Sequence, residues 1–159
     1  MSDMIRLLKM NDERLRQTEV KETVGNIGGY TAFFDSGAFS PIFAGSGGGG
    51  SFTQPLSIGE WTRIGNRVDV WMHLQMNTFT SAPAGNLWIT ALPFTARNTT
   101  NAFYAVTIGY RNTGLATLST AVIPANTTRV EFYDTSGAIV AASVLSAASK
   151  IVLGGSFAL

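Results

Sequence analysis

The sequence has 159 residues and a formal net charge of +1, with 45% hydrophobic but only 13% charged side chains. This length suits one domain with a sizeable core, and the balanced charge gives no general attraction to nucleic acid or to an anionic membrane. The chain has no cysteine, which excludes disulfides and thiolate metal sites, and no apolar run approaches the ~20 residues of a membrane-spanning helix.

Residues 1–22 form a charged segment with five acidic and five basic side chains, whereas the other 137 residues carry only eleven charges. Apolar residues recur in this segment at helical spacing, and Gly25 and Gly28-Gly29 interrupt the pattern. We therefore expect a helical docking arm with a glycine hinge over 1–28, a frayed terminus being the alternative. The predicted docking side chains are Met4, Ile5, Leu7, Leu8 and Leu15.

From Tyr30 onward the side chains alternate with a period of two, which is typical of half-buried strands. The clearest strand, 67–78, places its aliphatic residues and methionines on one face and Asp69, Trp71, His73 and Gln75 on the other. Turn residues separate such runs every eight to twelve residues, which favours a sandwich or a barrel. Strands are predicted at 30–34, 52–54, 60–64, 67–78, 87–90, 102–110, 115–123, 129–133, 138–145 and 151–159.

The glycine-rich stretch 45–51 is predicted to be a flexible loop. It is not expected to cradle a phosphate, because Gly50 is followed by Ser51 and Phe52 instead of the lysine that a P-loop needs. We therefore predict no nucleotide or other cofactor.

The chemistry of catalysis and of metal binding is poorly represented in the sequence. His73 is the single histidine, and one imidazole without cysteine does not make a metal site within one chain. Asp69 lies four residues away along the same strand, about 13 Å, which is too far for a catalytic hydrogen bond. We predict no catalytic and no metal-binding residue and no enzymatic activity; the alternative is a glycan-cleaving or esterase module that uses Asp69, Glu131 or Asp134.

The large aromatic residues and His73 are the candidate contact residues of the body. Aromatic side chains dominate both cores and protein interfaces, and they also bind sugars by stacking. The charged fraction is about half of the usual ~25%, which indicates that part of the surface is covered by partners; a surface rich in Thr, Asn and Ser is the alternative. The predicted trimer or partner interface residues are Trp61, Trp71, His73, Trp88, Tyr104 and Tyr110.

Three segments resemble the virion proteins of bacteriophages. The run WTRIGNRVDV at 61–70 resembles a strand–turn–strand hairpin found in the carboxy-terminal modules of tail fibres and tailspikes. The run WITALPF at 88–94 is similar to a segment that follows this hairpin in those modules, and Gly29-Tyr30-Thr31-Ala32 resembles their first strand. The resemblance covers residues 29–159.

This resemblance implies an all-β, antiparallel jelly-roll-type sandwich over 29–159 that forms a homotrimer on the outer surface of the phage particle. It implies neither a cofactor nor, in most members, catalysis. Because a short charged arm stands where a tail fibre carries a long shaft, we expect a capsid decoration or cement protein that bridges capsomers. The alternative is a tail-fibre or tailspike knob that adsorbs to host-surface glycans.

The expected partners are therefore two further copies of the chain, the major capsid protein or other virion proteins, and in the alternative a host-surface glycan. No direct contact with nucleic acid or membrane is expected. The N-terminal sequence has no long apolar stretch of the signal-peptide kind, so we expect synthesis in the host cytoplasm before assembly into the virion.

Overall fold

The computed structural model describes residues 34–159. The chain divides into two compact units, Met1–Phe34 and Asp35–Leu159, and the elements below belong to the second, apart from the first residue of β1. The predicted arm over 1–28 lies outside the described residues, as do its docking side chains Met4, Ile5, Leu7, Leu8 and Leu15. The arm therefore stays a prediction.

The described part of the chain is built from strands, and its only helices are two 3-10 helices at Thr113–Leu115 and Ala142–Val144. None of its helices has the length and hydrophobicity to cross a bilayer. The strands are β1 (Phe34–Phe39), β2 (Ile42–Gly45), β3 (Ser51–Phe52), β4 (Leu56–Ile64), β5 (Arg67–Gln75), β6 (Phe79–Ser81), β7 (Leu87–Thr90), β8 (Phe103–Arg111), β9 (Thr120–Pro124), β10 (Val130–Tyr133) and β11 (Lys150–Ala158).

Nine strands form one sheet in the order β1-β4-β5-β11-β8-β9-β10-β7-β2, and β3 pairs with β6 in a small second sheet. All neighbouring pairs from β4 to β2 are antiparallel. The all-β antiparallel prediction is confirmed. The main sheet is continuous and curls around one core; the jelly-roll connectivity and the homotrimer stay predictions.

The curl brings the two ends of the sheet close together at Pro41. This residue precedes β2, the last strand of the sheet, yet its carbonyl accepts hydrogen bonds from Ser57 Oγ on β4 (2.6 Å) and from Gln54 Nε2 (2.7 Å). The Gln54 Oε1 atom in turn accepts the backbone N–H of Phe43 on β2 at 3.1 Å. The side chain of Gln54, which lies two residues before β4, therefore links the start of β4 to the start of β2.

The core lies inside the curl, and β5 supplies its centre. Val68, Val70, Met72, Leu74 and Met76 are all at most 5% exposed, as the alternation predicts. This strand pairs along its whole length with β4 on one side and β11 on the other. The predicted turn that joins β4 to β5 is confirmed, because Ile64 pairs with Arg67 across Gly65-Asn66.

Several segments differ from the sequence prediction. The predicted strand 115–123 begins only at Thr120, because the 3-10 helix Thr113–Leu115 and a turn closed by Leu118 N and Leu115 O (3.1 Å) precede it, and β2 and β6 are not predicted. Residues 138–145 do not form a strand, because after bridges at Ile139 and Ala141 the chain turns into the second 3-10 helix. The glycine-rich stretch 45–51 packs against the 83–86 segment: Gly47 N donates to Ala84 O at 2.9 Å, and Ala84 N donates to Gly48 O at 2.8 Å. Three of its glycines adopt positive φ angles, which glycine allows without strain. The glycines therefore support a defined backbone conformation in this stretch.

Candidate functional site

Two of the predicted interface aromatics pack into the core. The Trp61 ring on β4 meets the Phe94 ring edge-on, with centroids 4.8 Å apart. The Tyr104 ring on β8 packs in the same manner on Phe157, at 6.4 Å. Both side chains are only partly buried, but they face the inside of the curl together with the buried core. Their packing indicates a role in holding the sheet curled.

Trp71, His73 and Tyr110 lie together on the opposite, outer side of the sheet. Trp71 and His73 alternate with the buried residues of β5, and their ring centroids are 6.2 Å apart. Val152 of β11 pairs with His73 on one side and with Tyr110 on the other. Residues paired directly across antiparallel strands share a face, so the three side chains belong to one surface.

A β-bulge places Tyr110 on this outer surface. Val152 pairs with Tyr110 while the next residue, Leu153, pairs with Ile108, so Gly109 is an extra residue in β8. Unbroken alternation predicts Tyr110 on the same side as Tyr104 and Ile108. The bulge reverses that expectation, and the Tyr110 side chain is 50% exposed.

The surface around these three residues is largely apolar, and Gly154 leaves space beside Trp71. Ile58 pairs with His73 and is 43% exposed, while Trp71 is 42% exposed and pairs with Gly154, which carries no side chain. Large exposed apolar patches on soluble proteins mark contact sites. We call this surface the Trp71 face, and it consists of Ile58, Glu60, Trp71, His73, Tyr110, Lys150, Val152 and Gly154.

The Trp71 face carries one acidic and one basic residue on opposite flanks. Glu60 lies on β4 and pairs with Trp71, whereas Lys150 lies at the start of β11, its Nζ 6.0 Å from the centroid of the Tyr110 ring. Within residues 34–159 neither of the two has an ion-pair partner. Beyond the face, Arg67 and Asp69 neutralise each other at 2.9 Å. Glu60 and Lys150 are therefore available to charged groups of another molecule, and Arg111, which lines the depression next to Tyr110, adds a second basic group on the Lys150 side.

The surroundings of His73 at the centre of this face favour its neutral form. Its Nε2 atom is buried and has no hydrogen-bond partner. Burial lowers the pKa of His73 below its ordinary value of 6.5, and the charge of Lys150 lowers the pKa further. A neutral imidazole fits an apolar contact surface, whereas a protonated one would add an unpaired cation.

The sixth candidate, Trp88, lies on the outer side of the other half of the sheet. It pairs with Glu131 of β10, and the Arg129 guanidinium lies 4.1 Å from the centroid of its ring. Glu131 is 8% exposed, and its Oε1 accepts from Arg129 Nε at 2.7 Å. Tyr133 completes the cluster, donating to Glu131 Oε2 at 3.4 Å. We call Trp88, Arg129, Glu131 and Tyr133 the Trp88 cluster.

The acidic groups weighed in the sequence as an acid pair have structural partners. Glu131 is bound by Arg129, and burial, followed by the charge of Glu131, raises the pKa of Tyr133. Asp134 Oδ1 accepts from the Ser136 hydroxyl at 2.6 Å and from Ala138 N at 3.0 Å, and these hydrogen bonds lower the pKa of Asp134. Asp134 therefore fixes the turn after β10.

No metal site is evident in the part of the chain that the structure describes. No three metal-binding side chains come together among these residues. An open depression of about 420 Å³ lies beside the Trp71 face at the end of β8, and it is lined by Ile108, Gly109, Tyr110, Arg111, Asn112 and Ala116. The depression is open to solvent, and the exposed Tyr110 ring forms part of its lining.

Sequence reasoning missed several residues of both surfaces. Ile58 and Val152 are single aliphatic residues, and nothing in the sequence marks them as exposed. Glu60 and Lys150 are recognised as part of this surface only from the pairing of their strands. A strand that is apolar on both sides, such as β4 with Trp61 inward and Ile58 outward, is the signal that points to a second covered surface. Glu131 follows Arg129 by two residues on one strand face, and this spacing indicates an ion pair.

Among known proteins, no family model and no curated protein matches the chain. One solved structure with the same fold is the Dettilon tailspike protein, with a TM-score of 0.59 and 24% sequence identity. The match covers 79% of this chain but only 24% of the tailspike chain. The chain therefore spans about a quarter of the length of the tailspike it matches. At 24% identity, the likeness shows a common fold.

Proposed function

We propose that this chain is a non-enzymatic structural protein of a bacteriophage particle and works as a trimeric tail module that adsorbs to the host surface. The observation that carries the proposal is the fold shared with a tailspike over 79% of the chain. The WTRIGNRVDV hairpin supports it independently, since this run forms the end of β4, the turn and the start of β5. The Trp71 face supplies the apolar surface that a trimer requires.

The Trp88 cluster is the surface we assign to the host glycan. If three copies cover their Trp71 faces, the aromatic surface that remains outside includes Trp88 and Tyr133. Tryptophan next to hydrogen-bonding Arg and Glu side chains suits sugar rings, which present an apolar face and polar edges. The carboxylate of Glu131 also keeps the cluster fixed before a ligand arrives.

Capsid decoration is the second candidate, and the charged segment 1–22 favours it. An arm carrying Met4, Ile5, Leu7, Leu8 and Leu15 suits docking on a shell of capsid proteins. The same Trp71 face would serve a decoration trimer equally well, so the location in the particle distinguishes the two functions.

Antibody labelling of purified particles, viewed by electron microscopy, tests the proposal. Label at the tail supports the adsorption module, and label spread over the shell would assign the chain to decoration. Particles without label, from a lysate in which the chain is abundant, would overturn the virion assignment.

A further inference from the structure

We infer that the Trp71 face joins copies of the chain head to tail, with Glu60 of one copy pairing with Lys150 of the next. This inference rests on the trimer of the proposed function. It adds which surface forms the contact, how the copies are oriented and which two side chains select the partner.

The first step concerns the reach of these charges within one chain. Glu60 pairs with Trp71, Trp71 pairs with Gly154, and Lys150 lies four residues before Gly154 on β11. The backbones of Glu60 and Lys150 are thus about 13 Å apart along the strands and about 10 Å apart across them. They form no ion pair with each other, so each charge is available to another molecule.

The second step concerns the geometry of a ring of three. In a closed ring of three copies the contact is heterologous, so two different patches of each copy meet. When this sheet face surrounds the axis with its strands inclined to it, so that the ~13 Å offset along the strands brings Glu60 and Lys150 to the same height, the β4 flank of one copy meets the β8–β11 flank of its neighbour. The β4 flank carries the acidic Glu60 and the β8–β11 flank carries the basic Lys150, so the two flanks are complementary in charge.

The third step concerns what the flanks enclose. Ile58 accompanies Glu60 on β4, while Lys150 lies over Tyr110 beside the open depression at the end of β8. A neighbouring β4 flank would place an aliphatic side chain against the depression and a carboxylate near the lysine. His73 and Trp71 lie between the flanks, where water is excluded in the ring, consistent with the unprotonated imidazole.

A charge exchange tests this pairing in the full chain. We expect Glu60→Lys and Lys150→Glu each to raise the dissociation constant of the trimer about 10-fold or more, because each places like charges opposite one another. The double variant Glu60→Lys/Lys150→Glu restores the pair and should return to within about 3-fold of the wild type. Arg97→Glu, an exposed charge reversal in the segment between β7 and β8, serves as the control and should have no effect.

Native mass spectrometry over a dilution series gives the readout, with the trimer expected at three times 16.9 kDa. If the wild type is a trimer and neither single reversal changes its dissociation constant, the Glu60–Lys150 pairing is overturned while the trimer stands. Two weakened single variants that the double variant does not rescue also overturn the pairing. A monomeric or dimeric wild-type chain overturns the trimer of the proposed function itself, so the two failures are distinguishable.

Discussion

Tyr110 pairs with Val152 across β8 and β11, whereas Ile108, only two residues earlier, pairs with the next residue, Leu153. The inserted Gly109 therefore moves the Tyr110 ring from the inner to the outer side of the sheet. There it joins Trp71 and His73 on the surface of the sheet that faces away from the core of the monomer. This local irregularity decides which side chains a neighbouring copy would meet.

Trp61 and Trp71, on neighbouring strands, are expected to affect different properties when replaced by alanine. Trp61→Ala removes a core contact with Phe94 and should lower the free energy of unfolding by about 3 kcal/mol. Trp71→Ala removes an outward side chain and should change the stability of the dilute monomer by less than about 1 kcal/mol while weakening the trimer. Urea unfolding at low protein concentration, together with native mass spectrometry, separates the two; equal losses of monomer stability would contradict the assigned faces.

The neutral state of His73 predicts a pH dependence of stability. Because its pKa is lowered in the folded chain, the unfolded chain binds more protons as the pH falls through 6.5, and stability decreases below that pH. Replacing His73 with Gln removes this titration, so the variant should lose less stability than the wild type between pH 8 and pH 5. Urea unfolding at the two pH values measures the difference; the same loss in both proteins would show that His73 does not titrate as described.

Arg129 and Glu131 are expected to depend on each other. Arg129→Met leaves a carboxylate that is only 10% exposed without its counter-charge, and we expect a loss of about 3 kcal/mol. The double variant Arg129→Met/Glu131→Gln removes the charge as well and should recover most of this loss. Thermal or urea unfolding of the four proteins gives the coupling energy, and strictly additive losses would contradict a coupled pair.

Gly45 is predicted to tolerate no side chain, in contrast to Gly65. A Cβ on Gly45 would overlap with the carbonyl oxygen of Ala84, whereas a Cβ on Gly65 meets open space and only the φ of +61° opposes it. We expect Gly45→Ala to cost about 3 kcal/mol and Gly65→Ala about 1 kcal/mol. Comparable melting temperatures of the two variants would contradict the close packing of the glycine-rich stretch on 83–86.

The sequence is informative where one side of a strand is clearly apolar and the other polar. The alternation predicts all four buried side chains of β5 and the buried Met76 that follows it, and β7 has the predicted bounds 87–90. The short strands β2 and β6 are missed, because three or four residues carry too little alternation to stand out. The segment 138–145 alternates as a strand does, but bridges and a 3-10 helix replace the sheet pairing there.

The candidate surfaces are harder to predict than the fold. The sequence identifies Trp71 and His73 as facing away from the aliphatic side of β5, but it does not distinguish them from Trp61 and Tyr104, which pack inward. Tyr110 is an interface candidate that alternation would have placed on the inner side. A bulge of one residue and the pairing of distant strands decide these positions, and neither leaves a pattern within a single segment.

The copy number of the chain per purified particle, measured by quantitative mass spectrometry against the major shell protein, tests the central claim most directly. A trimeric tail module predicts a few dozen copies or fewer, in a multiple of three. Hundreds of copies at a fixed ratio to the shell subunit would contradict the tail assignment and establish decoration of the capsid. Absence of the chain from intact particles would contradict a structural role in the virion altogether.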